Sequence, residues 1–143
     1  MTDVDWLDGA CLLVRGEALR AVGDFDENYF LYFEETDFSF RLRRAGWRVV
    51  CVGDAVAGQE PGERPEALYV RNRLRFLARQ VSRRAALRQA LHELRRIVRL
   101  TLSPDAERRR RGLLAARGVL ASVWPADPRT LYSLSGIGTV RSS

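Results

Sequence analysis

Lysine is absent from this sequence, so all 24 of its cationic side chains are arginines. It has one histidine, one methionine and two cysteines. Cys11 and Cys51 are too few for a disulfide scaffold and lack metal-site spacing. Each sits in an apolar, strand-like run and reads as a buried free thiol. The single histidine, His92, falls in a helical pattern and reads as a surface residue. No uninterrupted apolar run of about 18 residues exists, which excludes a membrane-spanning helix. The opening MTDVDW is acidic without an apolar core, so no secretory signal is expected. The missing lysine has a plain alternative in genome composition.

What is present fits a globular chain. A length of 143 residues suits one small domain. A composition 46% hydrophobic and 29% charged argues against disorder along the whole chain. A net charge of +6 favours acidic partners such as nucleic acid, anionic lipid or phosphorylated substrates. That charge is unevenly placed. Residues 1–66 hold 7 arginines and 14 acids, and residues 67–143 hold 17 arginines and only Glu93, Asp105, Glu107 and Asp127. The shift predicts two modules, 1–65 and 66–132, followed by a frayed tail over 133–143.

The first module reads as mixed α/β. GACLLVR (9–15) predicts a buried strand. Glu17 to Val22 predicts a helical turn closed by Gly23. EETDFSFRLRR predicts a helix ended by Gly46. Its acids Glu34, Glu35 and Asp37 crowd the first turn and Arg41, Arg43 and Arg44 the last, as the helix dipole favours. WRVVCV (47–52) predicts a second strand, and the Gly- and Pro-rich 53–65 a loop. The second module reads as helical. Apolar residues recur at three- and four-residue steps from Val70 to Leu102. A continuous helix of that length would outrun a small core, so a break is expected near Ser82–Ala86. Ser103 and Pro104 look like the cap and first position of a helix over 104–122, which the prolines at 125 and 128 end.

The densest chemistry lies in YFEETDFSFRLRRAGW. Three carboxylates fall within four positions, and at a helix start they splay, since neighbours differ by about 100°. One or two could face a common cleft as a general base or a hydroxyl holder. The alternative is that the dipole alone favours acids in a first turn.

The stretch from Asp5 to Val50 resembles family 2 glycosyltransferases, the inverting GT-A type, and rhamnosyltransferase-like members most closely. The matching residues are Trp6-Leu7-Asp8-Gly9-Ala10, LLVR (12–15) and VGDFDENYFLYFEETDFSFRLRRAGWRVV (22–50). Arg71-Asn72-Arg73 is similar to the start of that family's C-terminal helices. The resemblance implies a partial GT-A fold, its C-terminal, acceptor-side half, followed by an α-helical basic extension. It places the family's acidic pair on Glu34 and Glu35, with Glu35 as catalytic base. It puts Asp37 with them among the catalytic acids, where it helps bind the acceptor or supports the site, and Arg41 among the substrate-binding residues, where it holds a carboxylate or closes the helix against the core. Trp6, Asp8, Gly9 and Ala10 fall on the loop lining the sugar and acceptor pocket. The implied reaction is a single displacement: an acceptor hydroxyl attacks the anomeric carbon of a nucleotide-sugar while Glu35 takes its proton. Implied partners are that nucleotide-sugar and a glycan or lipid-linked acceptor, in cell-surface polysaccharide or glycolipid synthesis.

The departures matter as much. The family carries a divalent metal, Mg or Mn, on a D-x-D motif in the half that should precede these residues. Asp3-Val4-Asp5 and Asp24-Phe25-Asp26 have the spacing without the preceding strand, and Gln59 stands about where many members carry a metal-supporting His. The metal's ligands are therefore expected outside this chain, as is a glycine-rich phosphate loop. A fragment lacking the donor-binding half is the preferred account, ahead of half of a split enzyme or a misassigned start, and the isolated chain is expected to be inactive. A competing class is a non-catalytic basic helical module. Few aromatics accompany its arginines, so nucleic acid is not the expected partner. An anionic membrane surface suits the amphipathic basic pattern better, with a solvated charged face as the plain alternative. The expected location is the cytoplasm, at the inner face of the cell membrane where such a surface is engaged.

Overall fold

The computed structural model describes residues 1–59, 62, 64–124 and 126–134. The chain divides at Gly62 into two compact units. The first holds β1 (Thr2–Asp3), α1 (Gly16–Val22), α2 (Glu34–Arg44) and β2 (Val50–Cys51). The two strands pair antiparallel, Thr2 opposite Cys51 and Asp3 opposite Val50, and the Val4 N–H extends the ladder to the Val49 carbonyl at 3.0 Å. The core joins Ala18 of α1 to Phe38 and Leu42 of α2 and to Val49, with Val4, Leu7, Val14 and Trp47 packed around them. Phe38 and Leu42 are one helical turn apart, so α2 turns a single face inward.

Both expected stops of the first unit form. Gly23, at φ 77°, closes α1, and Gly46, at φ 85°, follows α2 with its N–H on the Arg43 carbonyl at 3.0 Å. Both take the left-handed backbone that glycine adopts without a Cβ clash.

The expected strand over 9–15 does not form. Its side chains alternate as a strand's would, Leu12 and Val14 half-buried and Leu13 exposed. A strand also needs a neighbour for its backbone hydrogen bonds, and among the described residues none pairs with it. The first unit is therefore mixed, with two helices and one sheet of two very short strands. Cys11 and Cys51 are exposed, not buried. The run around Cys11 has no sheet to bury it, and Cys51 ends an edge strand.

The second unit is helical: α3 (Glu66–Phe76) runs into a π-helical turn (Leu77–Val81), then come α4 (Arg83–Thr101), α5 (Ala106–Val123) and α6 (Pro128–Ser133). The break falls at Ser82, which is extended and whose Oγ accepts from the Ala85 N–H at 3.1 Å. The cap of α5 is Asp105, not Ser103. Its carboxylate accepts from the Glu107 N–H at 2.9 Å, while the Ser103 Oγ accepts from the Asp105 N–H one step earlier. Val70, Leu74 and Ala115 make the centre, with Ala90, Ile97 and Val119 around them. Two glycines set the helix spacing. A Cβ on Gly118 would lie 2.4 Å from the Ala67 carbonyl oxygen of α3, and one on Gly112 would lie 2.9 Å from Thr101 Cγ2 of α4.

Polar groups are built into this core. Glu93 is buried, takes Arg96 Nε at 2.8 Å and Gln89 Nε2 at 2.9 Å, and Arg96 also reaches Glu66. Arg71 and Asn72 are fully buried and bonded to each other at 2.6 Å. Of the expected tail over 133–143, residues 135–143 lie outside the described residues.

Candidate active site

The site begins with the way the chain enters α2. Phe30, Tyr32 and Phe33 all have positive φ, 64°, 66° and 74°. Bulky residues rarely occupy this region, and such strain costs about 1–3 kcal/mol per residue. Phe33 is the N-cap of α2 and supplies no side-chain cap. The strained segment therefore ends directly at Glu34 and fixes the direction in which the first turn presents its acids.

Those acids divide into two groups. Asp37 turns inward and is almost fully buried. Its Oδ2 takes Arg41 Nε at 2.8 Å, and its Oδ1 takes the Tyr29 hydroxyl at 3.5 Å. Arg41 also donates to the Val22 carbonyl at 2.5 Å and the Asp24 carbonyl at 2.7 Å. In the structure these two residues clamp α2 to the end of α1. Asp37, expected among the site acids, supports the site through that clamp.

Glu35, about 200° around the helix from Asp37, faces the loop of Asp8 and Gly9, and Asp8 lies near enough to Glu34 to act on its charge. A Cβ placed on Gly9 would sit 3.6 Å from Glu35 Cβ and 3.7 Å from its Cγ, so the Glu35 side chain lies over the Gly9 backbone. The loop is held in shape by Asp8, whose Oδ1 accepts from the Ala10 N–H at 3.1 Å. Thr36 Oγ1 donates to Glu35 Oε1 at 3.3 Å. Burial raises the Glu34 carboxyl to about 7, a backbone hydrogen bond opposes this, and Glu35 and Asp8 add to the rise. Glu34 Oε2 is buried and meets no hydrogen-bond donor among the described residues.

The structure thus brings together Asp8, Gly9, Glu34 and Glu35. Trp6 is about half exposed on the same loop, and Ala10 meets the Asp8 carboxylate through its backbone N–H. A groove of about 460 Å³ between Val14, Ala18, Phe38, Leu42 and Trp47 is not lined by Trp6, Gly9, Glu34 or Glu35. The D-x-D-spaced acids have structural partners. Asp3 takes Arg48 Nε at 2.9 Å, Asp5 pairs with Arg43, and Asp26 accepts the Asn28 N–H at 2.9 Å. No three His, Cys, Asp or Glu side chains among the described residues stand where they could hold a metal ion. The described residues do not offer the family's metal a ligand set.

The strained aromatic entry was missed in the sequence. It contains neither Gly nor Asn, the residues that normally mark left-handed backbone, and its only sign was an aromatic run without a period.

Two adjacent carboxyl groups at a helix entry, with the Glu35 side chain over a Gly-containing loop, make up the candidate site. Residues 1–79, more than half of the chain, match the glycosyltransferase-like family 2, and the chain belongs to that family. It is similar to the N-acetylglucosaminyl-diphospho-decaprenol L-rhamnosyltransferase of Mycobacterium tuberculosis, 54% identical over 52 residues that make up 36% of this chain and 17% of that protein. It is 44% identical to the rhamnosyltransferase WbbL of Escherichia coli over 48 residues, 34% of this chain and 18% of WbbL. It is 32% identical to the low-salt glycan biosynthesis hexosyltransferase Agl10 of Haloferax volcanii over 81 residues, 52% of this chain and 26% of Agl10. The chain therefore matches about a fifth of the length of these relatives. No solved structure matches it.

Proposed function

We propose that the first unit is the acceptor-activating side of a glycosyltransferase that moves a sugar from a nucleotide-sugar to an acceptor hydroxyl with inversion, in glycan synthesis. The observation that carries this reading is the Glu34–Glu35 pair against Gly9, with a buried carboxylate oxygen that has no donor among the described residues. An acceptor hydroxyl placed there donates its hydrogen bond to the pair. As its oxygen bonds to the anomeric carbon, the bond to the nucleotide's leaving oxygen breaks and the hydroxyl proton passes to the pair. Glu35 is the base, and Glu34, protonated up to about 7, modulates its charge. Trp6 and Ala10 border the acceptor, and Arg41 and Asp37 hold the helix that presents the pair. We take the groups that bind the nucleotide, and the divalent metal the family uses, to lie outside these 143 residues, in a GT-A-type donor half. The relatives' names favour a rhamnosyl or other hexosyl donor and a lipid-linked acceptor, with the cytoplasmic face of the membrane as the place of work.

The test is a segment exchange. The 52 matched residues of the mycobacterial rhamnosyltransferase are replaced by those of this chain, and transfer to its lipid-linked acceptor is measured. The exchanged enzyme is expected to be active, and Glu35→Gln in it to lower kcat by about 10²–10⁴-fold, the usual cost of a lost general base. A folded Glu35→Gln protein as fast as its parent would sink the assignment.

A further inference from the structure

The second unit has an apolar row that its own packing leaves bare. Leu87, Leu91, Leu94 and Val98 of α4 and its C-cap Leu102 succeed one another at three- and four-residue steps, which keeps them on one stripe. They are between 47% and 79% exposed. The core side of the same helix is a different face, carried by Ala90, Ile97 and the buried Glu93. Beside the stripe, turned from it by roughly 40–100° around the helix, runs a row of Arg84, Arg88, Arg95 and Arg99. All four are exposed and make no hydrogen bond or ion pair among the described residues. At its start the stripe enters a groove of about 510 Å³ floored by Leu74, Leu87, Ala90 and Val123 and bordered by Arg79 and Arg83. Val123 and Trp124, at the end of α5, carry the bare surface on and are 83% and 73% exposed.

Single exposed apolar residues are ordinary, and a continuous row is not. Three occupants could cover it. RNA would use the arginines and leave the leucines unsatisfied. A second copy would cover the leucines and bring two rows of unpaired arginines together, which opposes association. An anionic bilayer satisfies both rows at once, since leucines enter the headgroup–acyl boundary and guanidinium groups meet lipid phosphates. We propose that α4, with the end of α5, docks on an anionic phospholipid surface through Leu87–Leu102 and these four arginines. The proposal is independent of the catalytic reading of the first unit.

The experiment is co-sedimentation of the full chain with vesicles of phosphatidylcholine alone or of phosphatidylcholine and phosphatidylglycerol in equal parts. Binding is expected only to the anionic vesicles and to weaken with salt. Each Arg→Gln change at 84, 88, 95 or 99 is expected to lower partitioning about fivefold. The Leu91→Ser, Leu94→Ser double variant is expected to lower it by about tenfold or more, with unchanged circular dichroism because both side chains are exposed. Four results would overturn the proposal. One is equal binding to uncharged vesicles, and another is a double Ser variant that binds like its parent. The third is an RNA oligonucleotide that binds more tightly than the vesicles. The last is a dimer in solution that the same Ser substitutions dissociate.

Discussion

Glu34 keeps its proton because protein surrounds it on one side and its neighbours, Glu35 and Asp8, are both acidic. The consequence for stability has a definite sign. An acid whose value in the fold lies above its value in the unfolded chain favours folding while it is protonated. That contribution is complete below about pH 4.5 and is lost as the pH rises through about 7. Thermal melts of the parent are therefore expected to fall across this window, and those of Glu34→Gln to stay level. If both decline alike, the pH dependence comes from another group. Arg41 makes a second residue-scale prediction. Its removal strands the Asp37 carboxylate, which is only 4% exposed, and frees the Val22 and Asp24 carbonyls. Arg41→Ala is expected to cost about 3–5 kcal/mol, the usual cost of leaving a buried charge without its partner. Urea unfolding followed by fluorescence measures it.

At the scale of elements, the helices were legible, and of the two expected strands the one over 47–52 forms at Val50–Cys51 while the one over 9–15 does not. The stops at Gly23 and Gly46, the dipole-matched charges of α2 and the break before α4 follow from local steric and electrostatic rules, which act within a few residues. The strand expected over 9–15 depends on a partner strand, which a local pattern cannot supply. The left-handed entry at Phe30–Phe33 was hidden for a related reason, since tertiary packing holds these residues against their own preference. The close approach at Gly118 is similar: a lone glycine in a helical run carries no sign of what lies opposite. A Cβ there meets the Ala67 carbonyl oxygen, and backbone yields less readily than a side chain. Gly118→Ala gains up to about 1 kcal/mol of helix propensity and loses about 1–3 kcal/mol or more to overpacking. A net loss of stability is expected, read as a lower urea midpoint; a gain would mean that α3 and α5 shift apart freely.

At the scale of the molecule, the division of charge coincides with a division of structure. The acidic residues lie mostly in the unit that carries the candidate site, and the basic ones in the helical unit. The family match covers the first unit and the opening of the second, and among the described residues no helix is long and apolar enough to cross a membrane. The proposed function puts the groups that cradle a nucleotide outside these 143 residues. Titration of a nucleoside-diphosphate sugar into the chain is accordingly expected to give no binding heat. A saturable isotherm would place donor-binding groups within these 143 residues and overturn the division of labour proposed here.

The order of residues was enough to predict the helices, their stops, the two-module charge pattern and the likeness that picked out Glu34 and Glu35. All of these are carried by neighbours along the chain, where the physics is short-ranged. Only the tertiary structure laid Glu35 over Gly9, turned Asp37 inward onto Arg41, and left the leucines of α4 bare. It also raised Glu34 by drawing it out of water beside two other acids. Those outcomes depend on which distant residues meet, and on how much water is excluded where they do.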